Sequence, residues 1–193
     1  MADGIRLWVG LGNPGADYAR TRHNAGFWFI EALAEAYRIP LRSEAKYKAI
    51  AGRGRIEGQE VHLLLPQTFM NRSGQSVVPY AKFFQIPLQQ MLVAHDELDL
   101  PAGQIRLKTG GGHGGHNGLR DIVPHLGADF HRLRVGIGHP GHKDQVTGHV
   151  LGKAPAAEQR LLDDALTAAL AVVPLLMAGE MQKAMAQLNG FKA

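Results

Sequence analysis

The side chains in this chain that are equipped for chemistry sit at the ends of its apolar runs. One such stretch is Tyr18-Ala19-Arg20-Thr21-Arg22-His23-Asn24-Ala25-Gly26, which places His23 just before a segment with helical spacing. Three further polar segments each follow a predicted strand directly: Gly12-Asn13-Pro14-Gly15, Pro66-Gln67-Thr68-Phe69-Met70-Asn71 and His95-Asp96-Glu97. In open α/β sheets, sites gather beyond the carboxyl ends of the strands. If these three strands run parallel, Asn13, Asn71 and Asp96 meet at one edge of the sheet, and His23 reaches the same place. A carboxylate there orients an imidazole, which takes a proton from water. Asparagine amides can donate to the oxyanion that develops. The chain has no cysteine and offers no obvious serine nucleophile, so activated water is the attacking group this set favours. Taken singly, each residue has a plainer reading. His23 is one of ten histidines; Asn13 suits the turn before Pro14, Asn71 suits a helix cap, and Asp96 suits a solvated strand end. The chemical case rests on their convergence.

The elements that must bring them together follow from the apolar periodicity. Ile5–Val9 reads as a strand, and residues 25–37 read as a helix with Phe27, Ile30, Leu33, Ala34 and Tyr37 at helical spacing. Residues 47–56 and 61–65 read as a strand pair joined through Glu57-Gly58-Gln59. A helix is expected over 73–84, disturbed near Pro79, then strands over 91–94 and 104–108. Residues 115–123 read as a helix, residues 132–137 as a strand, and the part beyond Pro155 as helices separated near Pro174. Strands alternating with helices indicate an α/β fold, a single domain over 1–193 with a helical C-terminal part from about 155. The hairpin makes the twisted sheet mixed, with helices on both faces.

Two glycine-rich stretches invite other readings. Gly10-Leu11-Gly12-Asn13-Pro14-Gly15 satisfies the G-x-G-x-x-G pattern of dinucleotide-binding folds. That pattern must open a helix at once, so that the helix N-terminus receives the pyrophosphate. Here Pro14 interrupts it, and the acidic residues about 20 positions on, Glu31 and Glu35, lie inside a helix. A nucleotide cofactor is therefore not expected. The second stretch, residues 110–118, lacks the Lys-Ser/Thr of a phosphate-binding loop. His113 and His116 lack a third ligand at familiar spacing, and a metal ranks below a mobile polar wall against substrate.

Charge and composition narrow the partners. A formal net charge of +4 and a pI near 9.5 are compatible with a polyanionic partner. Arg106 and Lys108 stand two apart on one predicted strand, Arg132 and Arg134 on another. Residues two apart share a face, so neighbouring strands can present four cations together as a phosphate grip; basic residues on a half-exposed strand also serve as solubilising decoration. The absence of cysteine excludes disulfides, thiol catalysis and Cys-zinc sites and fits a cytoplasmic protein. No apolar run is long enough to span a bilayer. Met1-Ala2-Asp3-Gly4 does not start like a signal peptide.

The motifs taken together resemble a known family. Tyr18-x-x-Thr21-Arg22-His23-Asn24-x-Gly26 and Gly112-x-x-x-His116-Asn117-Gly118-Leu119-Arg120-Asp121-Ile122 are similar to the signatures of bacterial-type peptidyl-tRNA hydrolases. So are Gly10–Gly15, Thr68-Phe69-Met70-Asn71-x-Ser73-Gly74, His95-Asp96-Glu97-Leu98-Asp99-Leu100-Pro101 and residues 130–141. The resemblance implies a mixed twisted sheet flanked by helices, and hydrolysis of the ester that joins a peptide to the terminal ribose of tRNA. It implies a general base at His23, with Asp96 orienting it. Asn13, Asn71 and Asn117 would hold the ester and peptide end, with Asn71 foremost for the oxyanion. Tyr18, Met70 and His116 would line the cleft, and Lys108 and Arg134 would hold a tRNA phosphate. Arg106, where a basic residue is usual, is a weaker member of that set. No metal, no cofactor, no membrane and a monomeric state are further implications. Two other function classes compete. A non-catalytic RNA-binding module would bind tRNA without turnover, and a small-molecule esterase would cleave short esters as well as peptidyl-tRNA.

Overall fold

Short strands whose residues are buried on both faces, separated by amphipathic helices, leave the chain one economical arrangement: a sheet with helices above and below. The computed structural model describes residues 4–193, so the N-terminal residues read above for signal character lie outside the described residues, apart from Gly4. Seven strands form one sheet: β1 (Leu7–Gly10), β2 (Arg42–Glu44), β3 (Ala49–Ile56), β4 (Gln59–Pro66), β5 (Met91–Glu97), β6 (Ile105–Thr109) and β7 (His131–Gly136). Their order is β2-β3-β4-β1-β5-β7-β6. The central β4, β1, β5 and β7 are parallel, and β3 and β6 run antiparallel to their neighbours. The expected mixed sheet is therefore present. The hairpin from β3 to β4 turns on Glu57 and Gly58, both at positive φ (51° and 77°), as a two-residue turn between twisted strands requires.

Among the described residues seven α-helices complete the fold: α1 (Ala25–Ala36), α2 (Gly74–Phe83), α3 (Asn117–Leu126), α4 (Val146–Val150), α5 (Ala156–Ala171), α6 (Val173–Met177) and α7 (Met181–Leu188). They divide the core in two. Leu92 and Ala94 of β5 pack with α1 and the C-terminal helices, whereas Met91 and Val93 pack with α2 and α3. Helices thus cover both faces. The disturbance expected at Pro79 does not occur: α2 continues through it, with the proline ring on the exposed side. Four elements differ from the sequence reading. The stretch read as one last helix, from Pro174 to near Leu188, is split at Gly179 (φ 75°) into α6 and α7. β2 is all polar and exposed, so it carries no apolar alternation to detect. α4 spans only five residues, too few to show a helical period. α3 starts at Asn117 rather than Gly115, because Gly114 and Gly115 take positive φ (57° and 83°) and His116 then caps the helix.

Two glycines set how closely the site's elements approach. A methyl group on Gly26, in the first turn of α1, would run into the Ala94 carbonyl and the backbone of Leu11. One on Gly10 would run into the Gly26 carbonyl. The start of α1 therefore lies directly on β1 and β5, and the turn just before it is carried to the carboxyl end of β5.

Candidate active site

That turn is a short 3-10 segment, Arg22–Asn24. Arg22 anchors it from behind: its Nε donates to Glu158 Oε1 at 2.9 Å, and Nη1 donates to the His149 carbonyl at 2.9 Å. His23 then faces Asp96 at the end of β5, with Nδ1 2.8 Å from Oδ2. The second carboxylate oxygen, Oδ1, lies 2.8 Å from His116 Nε2. Asp96 is buried and serves two imidazoles at once.

The hydrogen-bond network assigns the protons. His116 caps α3, and its Nδ1 accepts from the amides of Gly118 (3.1 Å) and Leu119 (3.3 Å). An imidazole nitrogen that accepts carries no proton, so His116 Nε2 holds one and donates it to Asp96. His23 donates from Nδ1 to the other oxygen, and its Nε2 is left with a lone pair. Among the described residues that nitrogen has no partner. Burial disfavours the charged form of His23, but the Asp96 carboxylate outweighs this and its pKa is raised. Burial likewise opposes ionisation of Asp96, yet His23 and His116 together hold its carboxyl well below the usual carboxylate range.

His95, on the same strand, turns Nδ1 onto the Asp96 carbonyl at 2.8 Å. Burial pushes its pKa down to about 4. The ligating atoms of His23, Asp96 and His116 lie within 4.8 Å of one another. Both nitrogens that face the carboxylate carry protons, however, so the group is a hydrogen-bonded triad and neither nitrogen offers a lone pair to a cation. His113 is likewise committed, its Nδ1 accepting from the Gly115 amide at 2.9 Å.

A cavity of about 430 Å³ opens in front of this triad. Asn13, Asn71 and Asn117 lie on its wall with His23, Asp96 and His116. Met70, Leu98, Val146, Val150 and Leu151 give it an apolar side. Asn13 is locked in place: its Oδ1 accepts the Met70 amide at 2.7 Å, and its own backbone is gripped at both ends by the buried Asn24 carboxamide (2.8 and 3.0 Å). Because Oδ1 is occupied, the Asn13 Nδ2 donors are the atoms left for a ligand. Asn117 Oδ1 accepts from Arg120 at 3.3 Å, which similarly leaves its amide donors. Tyr18 is not on the cavity wall. Its ring packs edge-on against Phe69, with centroids 6.2 Å apart. Phe69 is on the wall and is exposed.

The four cations expected on one face are there. Antiparallel pairing sets Arg106 opposite Arg134 and Lys108 opposite Arg132, beside the triad on the α3 side of the sheet. They do not act alike, and Arg132 corrects the four-cation reading. Its guanidinium is buried and donates to the carbonyls of Gly111, Gly112 and Ala128, so it ties down the glycine-rich loop. Lys108 is exposed and, with Arg134 and the committed Arg132, lines a separate cleft of about 240 Å³. Arg106 does not line that cleft, and its Nε is enclosed without a partner among the described residues.

The sequence profile of the Peptidyl-tRNA hydrolase family matches residues 7–193. The chain belongs to the peptidyl-tRNA hydrolase family. It is 65% identical to the peptidyl-tRNA hydrolase of Acinetobacter baylyi over 188 residues, 97% of each chain. It is 62% identical to that of Psychrobacter arcticus over the same share of both chains. The crystal structure of peptidyl-tRNA hydrolase from Acinetobacter baumannii superposes with a TM-score of 0.98 and 63% identity, covering 100% of this chain and 98% of that one. The peptidyl-tRNA hydrolase motifs noted in the sequence supply successive parts of the cavity wall: Asn13, His23, Met70 with Asn71, Asp96, and His116 with Asn117. Three contributors were not assigned roles from sequence. Asn24 adjoins His23 in the first motif, Glu97 adjoins Asp96, and the α4 wall has no motif at all.

Proposed function

We propose that this chain cleaves the ester of peptidyl-tRNA with a water molecule activated by His23 and oriented through Asp96. Membership of the family makes it an ester hydrolase acting on peptidyl-tRNA; the proton path and the residue roles are our reading. One observation carries it: the carboxylate of Asp96 holds Nδ1 of His23, a residue of the cavity wall, at 2.8 Å, which leaves Nε2 for a water there. In that state Nε2 takes a proton from water as the water attacks the ester carbonyl, and the imidazolium that forms is stabilised by the buried carboxylate. The carbonyl oxygen gains charge in this step. Asn71, with Asn13 and Asn117 nearby, supplies carboxamide donors for it. His23 then returns the proton to the departing ribose oxygen.

His116 holds the other Asp96 oxygen and starts α3, so it is a positioning residue as well as part of the wall. Met70 supports the apolar side, and Tyr18 backs Phe69 at the rim. Lys108 and Arg134 hold a tRNA phosphate, with Arg106 adding charge to the same face. No cofactor takes part in this scheme. Among the described residues no helix is long and apolar enough to cross a membrane. The same reading has the enzyme acting as a monomer in the cytoplasm. The test is hydrolysis of an N-blocked aminoacyl-tRNA by His23→Ala. Turnover should be nearly abolished while tRNA binding survives, and full activity would remove His23 from the role. Cleavage of short esters at a comparable rate would favour a general esterase instead.

A further inference from the structure

Of the four cations aligned on β6 and β7, one alone has a carboxylate partner among the described residues: Arg134 Nε lies 2.9 Å from Glu97 Oε1. The setting makes this pair informative. Arg134 stands directly opposite Arg106 and two residues from Arg132 on the same face. Like charges in such positions repel, and without a counter-charge the Arg134 side chain would swing away from them. Glu97 is itself held from two sides, since its other oxygen accepts the Asp99 amide at 3.2 Å. Only the Nε edge of Arg134 is engaged there. The terminal nitrogens, with four N–H donors, remain for the cleft it shares with Lys108. Glu97 lines both that cleft and the catalytic cavity, and it follows Asp96 directly on β5.

We propose that Glu97 is a positioning residue that aims Arg134 at a tRNA phosphate and, through β5, fixes that phosphate at a set distance from the ester in front of His23. This inference rests on the reading of Lys108 and Arg134 as phosphate-binding residues. A buried-edge carboxylate in an anion-binding cleft otherwise only weakens it. Here the loss of net charge is offset by a guanidinium whose fork is preset, so fewer rotamers are frozen when the phosphate arrives. The strand continuity matters for catalysis. The carboxylate that orients the base and the one that orients the phosphate-binding arginine are adjacent residues of one rigid element.

The experiment compares two substrates, an N-acetyl-aminoacyl-tRNA and the matching N-acetyl-aminoacyl-adenosine, which carries no phosphate. The ratio of kcat/KM between them is insensitive to how much of a variant is folded. Glu97→Ala should lower kcat/KM on the tRNA ester about tenfold more than on the adenosine ester, mainly through KM, as expected for loss of one hydrogen bond to a charged group. Glu97→Gln should recover part of this, because its amide oxygen still accepts from Arg134 Nε. Arg134→Ala is the reference and should show the same tRNA-selective loss, with Glu97→Ala adding little on top of it. Equal losses on both substrates would mean that Glu97 acts on the ester and not on the phosphate, and would overturn the proposal. So would an unchanged or tighter KM for tRNA in Glu97→Ala while Arg134→Ala is selectively impaired. If Arg134→Ala shows no tRNA-selective loss, the phosphate reading itself is wrong and the proposal falls with it.

Discussion

Asp96→Asn is the sharpest perturbation this site offers, because the two imidazoles make opposite demands on an amide. In the native protein each oxygen of Asp96 receives one N–H at 2.8 Å. Asparagine keeps the shape but replaces one oxygen with a donor. His116 cannot adapt: its Nδ1 is committed to two backbone amides of α3, so Nε2 must carry the proton. The oxygen of the introduced carboxamide is therefore drawn to His116, and its NH2 group faces His23 Nδ1. That nitrogen must now accept, which moves the His23 proton to Nε2, where it blocks water activation. Loss of a correctly held base is worth about 10²–10⁴ in rate, and the fall in kcat should lie in that range. The pH profile should move as well. In the native enzyme the raised His23 pKa puts the rise of kcat/KM with pH at a midpoint above 6.5. Without the carboxylate only burial remains, and the residual activity should rise at a lower pH than in the native enzyme. A double-mutant cycle separates this account from simple charge loss. With His116→Ala in place, the introduced carboxamide is free to turn its oxygen towards His23, so the Asp96→Asn penalty should shrink by about tenfold, a coupling of about 1.4 kcal/mol. The measurement is single-turnover hydrolysis of N-acetyl-aminoacyl-tRNA across pH. An identical penalty in both backgrounds would refute the proton assignment.

Further outcomes follow from the same geometry. Lys108→Ala should lower the slope of log Kd for tRNA against log salt by about 1, the loss of one phosphate contact, and an unchanged slope would take Lys108 out of the interface. Asn24→Ala removes the group that holds the Asn13 backbone at both ends, so stability should fall by about 1–3 kcal/mol in urea titration, with kcat reduced as Asn13 loses its aim. Arg22→Ala leaves Glu158 and the His149 carbonyl unpaired and should lower Tm by several degrees, read by calorimetry. His62, whose Nδ1 lies 2.6 Å from the Tyr80 hydroxyl in a hydrogen bond, is held by burial at a pKa of about 4. Its folded pKa lies below the unfolded 6.5, so its contribution is complete above pH 6.5 and is lost as pH falls towards 4, about 2 kcal/mol by pH 5. His62→Asn, which keeps an acceptor but does not titrate, should flatten that acid limb in chemical denaturation.

The sheet and the meeting of Asn13, Asn71 and Asp96 were readable because they depend on local signals. Each residue follows an apolar run, and parallel strands bring such positions to one edge. His23 was readable for a related reason, standing where a helical period begins. What escaped depends on what covers a face. Arg132 and Arg134 have the same spacing and the same chemistry in sequence, yet the glycine-rich loop folds over one and not the other. Alternation along β7 predicts that they share a face and is silent about the loop. Tyr18 belongs to the His23 motif, but its ring packs edge-on against Phe69 of the cavity wall, a relation across 51 residues of chain that no spacing encodes. α4 supplies apolar wall from a five-residue helix, shorter than the window in which periodicity can be seen.

The second nitrogen decides which imidazole can serve as the base. Three histidines surround Asp96, and each places one ring nitrogen against it: His23 and His116 on the carboxylate, His95 on the backbone carbonyl. Proximity to the carboxylate does not distinguish the first two, and both lie on the cavity wall. The remaining nitrogens do. That of His95 is enclosed without a partner among the described residues, at a site where burial favours the neutral ring. That of His116 is spent on the start of α3. Only His23 presents a lone pair to the cavity while its other nitrogen is fixed by a buried carboxylate. On the proposed reading, geometry and protonation therefore point to the same residue, and the helix cap sets its nearest rival apart. His116→Gln puts that choice to the test, because a glutamine amide can still donate to Asp96 but neither titrates nor takes a proton from water. Its kcat/KM should keep a histidine inflection across pH, since the group that titrates is His23. Loss of that inflection in His116→Gln, with activity reduced as far as in His23→Ala, would make His116 the base and overturn the tautomer assignment.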